Sequence, residues 1–343
     1  MQILLPVYGL ADVANEAGAL ERAGVDGVFT FEGPHDVFLP LALTASATDL
    51  AIMSNVAIAF PRNAVHLAHT SWDLHQLSGG KFTLGLGTQI RTHVERRFGV
   101  DFERPVARMR DTVEAVRAIF ATWQDGVPLD HRGPFRTHTL MTPVFSPPAS
   151  EWGPPPVVVG GLGPQMCAMA AEVADGLAVM PVTSERFFTE QTMGAVERGV
   201  AKRDAAMGPL EVLPELIVCT GRDEAEMAVA EEGCRGLLGF YSSTPAYRPV
   251  FECEGYGEIQ PVARSLTKEG RWDELGSLIE APLLERIAVR GTPADVAAQI
   301  ARRYSAHTDR VAVYLPYATA DGLLEELVDA VHCAVPPTPE EST

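Results

Sequence analysis

Eight times along the chain, a short apolar run is followed by a segment whose apolar residues recur every three to four positions. The runs lie at Ile3 to Tyr8, Val25 to Phe31, Ile52 to Phe60, Lys81 to Leu86, Pro156 to Gly161, Leu177 to Met180, Val212 to Thr220 and Arg310 to Leu315. Each is too short for a helix and is bounded by Gly, Pro or Asn, so it reads as a buried strand. In the first helical segment Val13, Ala17 and Leu20 fall at i, i+4 and i+7, with Asp12 before and Gly24 after as start and stop signals. Parallel strands need a crossover, and a helix of this length supplies it. The pattern therefore predicts an α/β fold, a (β/α)8 TIM barrel, with a doubly wound open sheet as the alternative. A barrel of this kind gathers chemistry at the C-terminal ends of its strands.

Two segments break the rhythm. Residues 126–156, after the fourth strand, are rich in Pro, Gly and Thr and read as an insertion carrying a β-hairpin; residues 239–282, after the seventh, read as a second, less regular one. Barrels often exceed 250 residues as one domain, so residues 1–335 are expected to form a single domain, with residues 336–343 a disordered tail.

The formal charge of −18 excludes binding to nucleic acid through clustered Lys and Arg and disfavours an anionic membrane surface. There is no basic-then-apolar leader and no apolar run near 18 residues, so a cytoplasmic protein is expected. The five cysteines are scattered without a Cys-x-x-Cys pair and read as reduced, structural thiols. His66, His69 and Asp73 share a helix face but find no second ligand cluster, so no metal site is assigned.

The densest motif runs from Ser78 to Gly99: Ser-Gly-Gly-Lys-Phe, then Leu84-Gly-Leu-Gly-Thr, then Arg97-Phe-Gly. Gly85 and Gly87 leave a strand end without side chains, where a flat ligand can approach the backbone or a neighbouring strand can bulge. Together these strings resemble the signature of the bacterial luciferase-like family of flavin and deazaflavin oxidoreductases, and within it the F420-dependent subgroup. That resemblance covers nearly the whole chain. It implies the same barrel, a homodimer, and a tricyclic cofactor with a phosphate.

Candidate site residues follow at strand ends. Thr30-Phe-Glu-Gly-Pro-His-Asp supplies Glu32, His35 and Asp36, a general acid or base or else a polar capping loop. The resemblance favours His35, with Glu32 and His93 as further catalytic candidates. It also implies a non-prolyl cis peptide behind the ring, expected between Ala57 and Phe60, so that Ala57, Ile58, Ala59 and Phe60 join the cofactor site. Arg62 is a candidate for a ligand phosphate or tail. After Gly87, Thr88 and Gln89 are placed to hydrogen-bond ring heteroatoms; the alternative is a plain helix start. Gly160, Gly161 and Gly163 open a helix after a strand, where free N–H groups bind phosphate, and their spacing is not that of a Rossmann dinucleotide fingerprint. The aromatic and hydroxyl residues from Phe240 to Tyr247 read equally as a substrate pocket or a seal.

The reading is an oxidoreductase transferring hydride between coenzyme F420 and a small organic substrate. An FMN-dependent monooxygenase on the same fold is the alternative, and a non-catalytic ligand-binding barrel the second.

Overall fold

In the structure, a computed structural model that describes residues 1–334, all eight expected strands form. They are β1 (Gln2–Pro6), β2 (Gly27–Thr30), β3 (Ala51–Ser54) continued by β4 (Ala57–Ile58), β5 (Phe82–Gly87), then, after a hairpin of β6 (His131–Arg132) and β7 (Thr137–His138), β8 (Val157–Gly161), β9 (Gly176–Val179), β10 (Glu211–Thr220) and, past the short β11 (Val289–Gly291), β12 (Arg310–Tyr314). Every neighbouring pair in the ring β1-β2-β3-β5-β8-β9-β10-β12 is parallel, and β12 closes back on β1. The fold is the (β/α)8 barrel, and the open sheet is excluded because no barrel edge is left unpaired. β11 extends the far end of β10 only.

Alternation sorts the strand residues into two layers. Leu4, Phe29, Met53, Val158, Ala178, Leu213, Ala312 and Tyr314 fill the interior, while a larger cluster including Ile3, Val28, Ile52, Leu84, Val157 and Val311 packs outward against the helices. β5 sends no large side chain inward at Gly85. The helix Pro293–Tyr304 begins as the sequence signals, with a reciprocal Thr292–Asp295 capping box and Pro at its first turn.

Residues 126–156 run along the outside of the helix Pro105–Asp125. The β6–β7 hairpin is pinned there by His131 Nε2 to Asp111 Oδ1 at 3.1 Å, and Gln124 exchanges hydrogen bonds with the backbone of Ser150. The segment after the helix Glu224–Ser242 is more regular than the sequence suggests: it holds the helices Arg248–Cys253, Ile259–Lys268 and Ala281–Ile287. These pack on a second cluster with Ile217, Leu238, Val250, Phe251 and Leu283. The expected tail 336–343 lies outside the described residues. Among the described residues no helix is long and apolar enough to cross a membrane.

Candidate active site

The mouth at the strands' C-terminal ends is shaped first by glycines. A β-carbon on Gly85 would sit 1.9 Å from the Ser54 carbonyl oxygen, and one on Gly87 would sit 2.2 Å from Val56 Cγ2. The third strand uses this room. It ends at Ser54, whose hydroxyl bonds the Gly85 N–H and C=O at 3.0 Å each; the Asn55–Val56 peptide is cis; and β4 then resumes register with Leu86 and Gly87. The cis bond thus lies just ahead of the expected interval from Ala57 to Phe60. The correction has a steric reason: the space left by Gly85, Gly87 and Gly160 adjoins residues 54 and 56, whereas Ala57 and Ile58 are already paired as strand. Ala57, Ile58, Ala59 and Phe60 are all buried, and Val56 is the partly exposed side chain, lying between Gly87 and Gly160.

The loop after β2 splits its three polar candidates. Glu32 accepts hydrogen bonds from the Ile58 N–H at 2.8 Å and from Arg62 Nη1 at 2.6 Å, and Arg62 Nη1 also donates to the Ile58 carbonyl. Glu32 and Arg62 therefore brace β4 from below, and Arg62 is not a free cation awaiting a ligand. Asp36 accepts from the N–H groups of Phe38 and Leu39 at the start of the helix Leu39–Ala47, the capping reading of that residue. His35 is exposed and has no hydrogen-bond partner among the described residues.

After β5, Thr88 and Gln89 are half-buried at the mouth, and Gln89 has a left-handed φ of 59° with its side chain bonded to the next N–H. Ile90, not Thr88, caps the following helix, Arg91–Arg96, which carries His93 on its exposed face. Of the nearby arginines, Arg91 pairs with Glu95 and covers the Phe102 ring, while Arg97 donates to the Gly33 carbonyl and so ties this loop to that of β2. After β8, Gly161 is buried: a β-carbon there would meet Leu177 Cδ1 at 3.0 Å and Cys167 Sγ at 3.2 Å. Gly163 is different. It caps the helix Pro164–Val173 at φ −71°, exposed, with nothing within 4 Å of a built β-carbon. Of the three residues that share a helix face, His69 packs against Trp123 while His66 and Asp73 face solvent. Among the described residues no group of three or more His, Cys, Asp or Glu side chains is arranged to hold a metal ion.

These strand ends are consecutive around the barrel, from β2 through β3/β4 and β5 to β8, and the family model described as luciferase-like monooxygenase matches residues 5–310. The chain belongs to that family. An uncharacterised protein of Mycobacterium tuberculosis is 43% identical over 303 residues, 88% of this chain and 89% of its own length. A 5,10-methylenetetrahydromethanopterin reductase of Methanolobus tindarius is 24% identical over 307 residues, covering 86% of this chain and 87% of that one. Among solved structures, the coenzyme F420-dependent tetrahydromethanopterin reductase of Methanopyrus kandleri superposes with a TM-score of 0.78 at 18% identity, covering 96% of this chain and 97% of that one. A type II Baeyer–Villiger monooxygenase from a Pseudomonas putida plasmid, in complex with FMN, gives 0.63 at 13%, covering 98% of both chains. The luciferase-like chain is thus an oxidoreductase by family.

This luciferase-like mouth contains groups the sequence reading passed over. Glu215 lies inside the barrel at 1% exposure, with Oε2 accepting from the Tyr314 hydroxyl at 3.1 Å. Burial pushes its carboxyl up to about 8, against weaker opposing effects of Tyr314 and the Asn55 amide. Asn55 itself is 4% exposed; its amide approaches the Glu215 carboxyl, but neither Oδ1 nor Nδ2 reaches hydrogen-bond geometry. A lone acid within the apolar run Val212-Leu-Pro-Glu-Leu-Ile-Val218 was the available signal. A tricyclic ring with a phosphate fits these residues: the helix end at Gly163 is open, and the partly exposed Val56, just after the cis bond, lies between Gly87 and Gly160.

Proposed function

We propose that the chain is an F420-dependent oxidoreductase that moves a hydride between the deazaflavin and a small organic substrate. One observation carries the reading: the open helix start at Gly163 and the partly exposed Val56 flanked by Gly87 and Gly160 adjoin on one arc of the barrel. A phosphate would be held by the N–H groups of Gly163 and Gln165 at that helix start, Pro164 having none, and the positive helix end favours an anion. Val56 would back the ring, with Thr88 and Gln89 reaching its heteroatoms. The cofactor supplies hydride chemistry when bound, and the protein's part is orientation, exclusion of water and proton movement. His35 is the residue assigned to proton exchange with substrate, because its ring is uncommitted and faces solvent; His93, also exposed, is the second candidate for that role. Glu32 acts at one remove by holding Ile58 and Arg62.

The test is F420 binding to the wild type and to Gly163→Val, followed by deazaflavin absorbance and protein fluorescence. A β-carbon there meets no protein atom within 4 Å, so the melting temperature should hold while affinity falls at least tenfold. Unchanged affinity would remove the phosphate from this helix start.

A further inference from the structure

We propose that Glu215 is a second functional acid of the mouth, one that presents its proton to the heteroatom of a carbonyl or imine substrate. This deepens the oxidoreductase reading and rests on it for its chemistry, but not for its test.

Position comes first. Leu213 belongs to the inner cluster, and Glu215, two residues on, shares its face of β10 one layer nearer the mouth. It pairs in register with Ala312, and Tyr314 on the same adjacent strand reaches across to it. Tyr314 is itself wedged edge-on against Phe29 at 5.2 Å. Across the interior, Asn55 ends the third strand with its amide close enough to the Glu215 carboxyl to lower its pKa, though neither amide atom completes a hydrogen bond. From the helix Glu224–Ser242 and the turn after it come Tyr241 and Tyr247, packed edge-to-face at 5.1 Å, and Tyr8 stands at the end of β1.

The groups that act with Glu215 are the Asn55 amide and the phenols of Tyr314, Tyr241 and Tyr247, with Tyr8 acting on Tyr314 and Tyr241, and burial raises all four phenols. No cation figures among the influences on Glu215. An ionised carboxylate at this depth needs a cation or several N–H donors, and one phenol with one amide nearby does not suffice. Its second oxygen, Oε1, has no hydrogen-bond partner among the described residues. A purely structural acid would be expected to engage both oxygens. The Glu215 carboxyl and the Asn55 amide, which face one another without completing a hydrogen bond, are the pair that a ligand's heteroatom would bridge.

For reduction, the substrate carbon takes the hydride from the reduced deazaflavin and the C=O π pair moves onto oxygen. The Glu215 O–H bond breaks and its proton joins that oxygen, giving an alcohol, or an amine from an imine, and a carboxylate that solvent reprotonates. Oxidation runs the same steps backwards with Glu215 as base.

The experiment is labelling with N,N′-dicyclohexylcarbodiimide, which attacks protonated carboxyls in apolar surroundings, read by mass spectrometry at Glu215, alongside infrared titration of the neutral-carboxyl band. Both use the full chain without cofactor. Labelling should be about thirtyfold faster near pH ~6.5 than near pH ~9.5, for a midpoint of about 8. The band should vanish over the same range and be missing in Glu215→Gln. Tyr314→Phe removes the hydrogen bond that lowers the midpoint, so its titration should move to higher pH; this variant carries the test if Glu215→Gln does not fold. A Glu215 that resists labelling, or that shows no neutral band near pH 7, overturns the proposal. Saturating F420 should slow labelling; cofactor bound without protection also overturns it. If neither F420 nor FMN binds while labelling and titration behave as stated, the oxidoreductase reading fails and the reachable neutral acid stands.

Discussion

His35 and Glu32 are three residues apart in the chain and do different work. Because His35 is uncommitted, His35→Ala should lower turnover by about 10²–10⁴ while leaving cofactor affinity within a factor of two or so. Steady-state kinetics with a parallel binding titration checks this, and an unchanged turnover number would eliminate the role. Glu32 is fastened to Ile58 and Arg62, its carboxylate mostly out of water. Replacing Arg62 with Met should therefore cost about 1–3 kcal/mol by leaving a buried charge short of its partner. Denaturant unfolding measures it, and a loss within ~0.5 kcal/mol would place the pair among surface ion pairs that contribute little. The sequence put Glu32 beside His35 and Asp36 in a candidate catalytic trio because its partner lies 30 residues away on another strand's loop. Residue type was legible there and commitment was not, since commitment depends on tertiary pairing.

Among the elements, the strands were readable because each is short, apolar and bounded. The cis peptide between β3 and β4 was placed a little late, because only packing shows which strand uses the room beside a glycine. The same lesson separates the glycines after β8. Gly163 faces open space, but Gly161 is closed in by Leu177 and Cys167. The sequence treats both as cradle residues. The structure instead predicts that Gly161→Val destabilises the protein without any cofactor, by about 1–3 kcal/mol of overpacking, and thermal unfolding of the apo protein checks it. A variant as stable as wild type would contradict that packing. Glu215 escaped notice for a related reason: a strand read by its hydrophobic rhythm hides a single acid, and burial alone gives that acid its character.

Over the whole molecule, Glu215 links stability to pH. Its folded value of about 8 exceeds the ordinary 4.5 of the unfolded chain, so between those values the native state holds a proton that the unfolded state has released. The contribution is fully present below about pH 4.5 and is lost as pH rises to about 8, with a slope approaching 1.4 kcal/mol per unit. Urea midpoints across that range should fall in the wild type and flatten in Glu215→Gln. The molecule's charge of −18 bears on the cofactor in another way. The anionic tail of F420 must be met by local cations, and with Arg62 and Arg91 in ion pairs and Arg97 tied to Gly33, exposed Arg96 remains. Screening over a Debye length of about 8 Å should then weaken F420 more than FMN as salt rises. Parallel titration with F420 and FMN at low and physiological salt tests the central claim most directly. The account predicts tighter binding of F420 at low salt and a steeper loss for it; tight FMN binding with no detectable F420 binding would contradict it and make the chain an FMN-dependent monooxygenase.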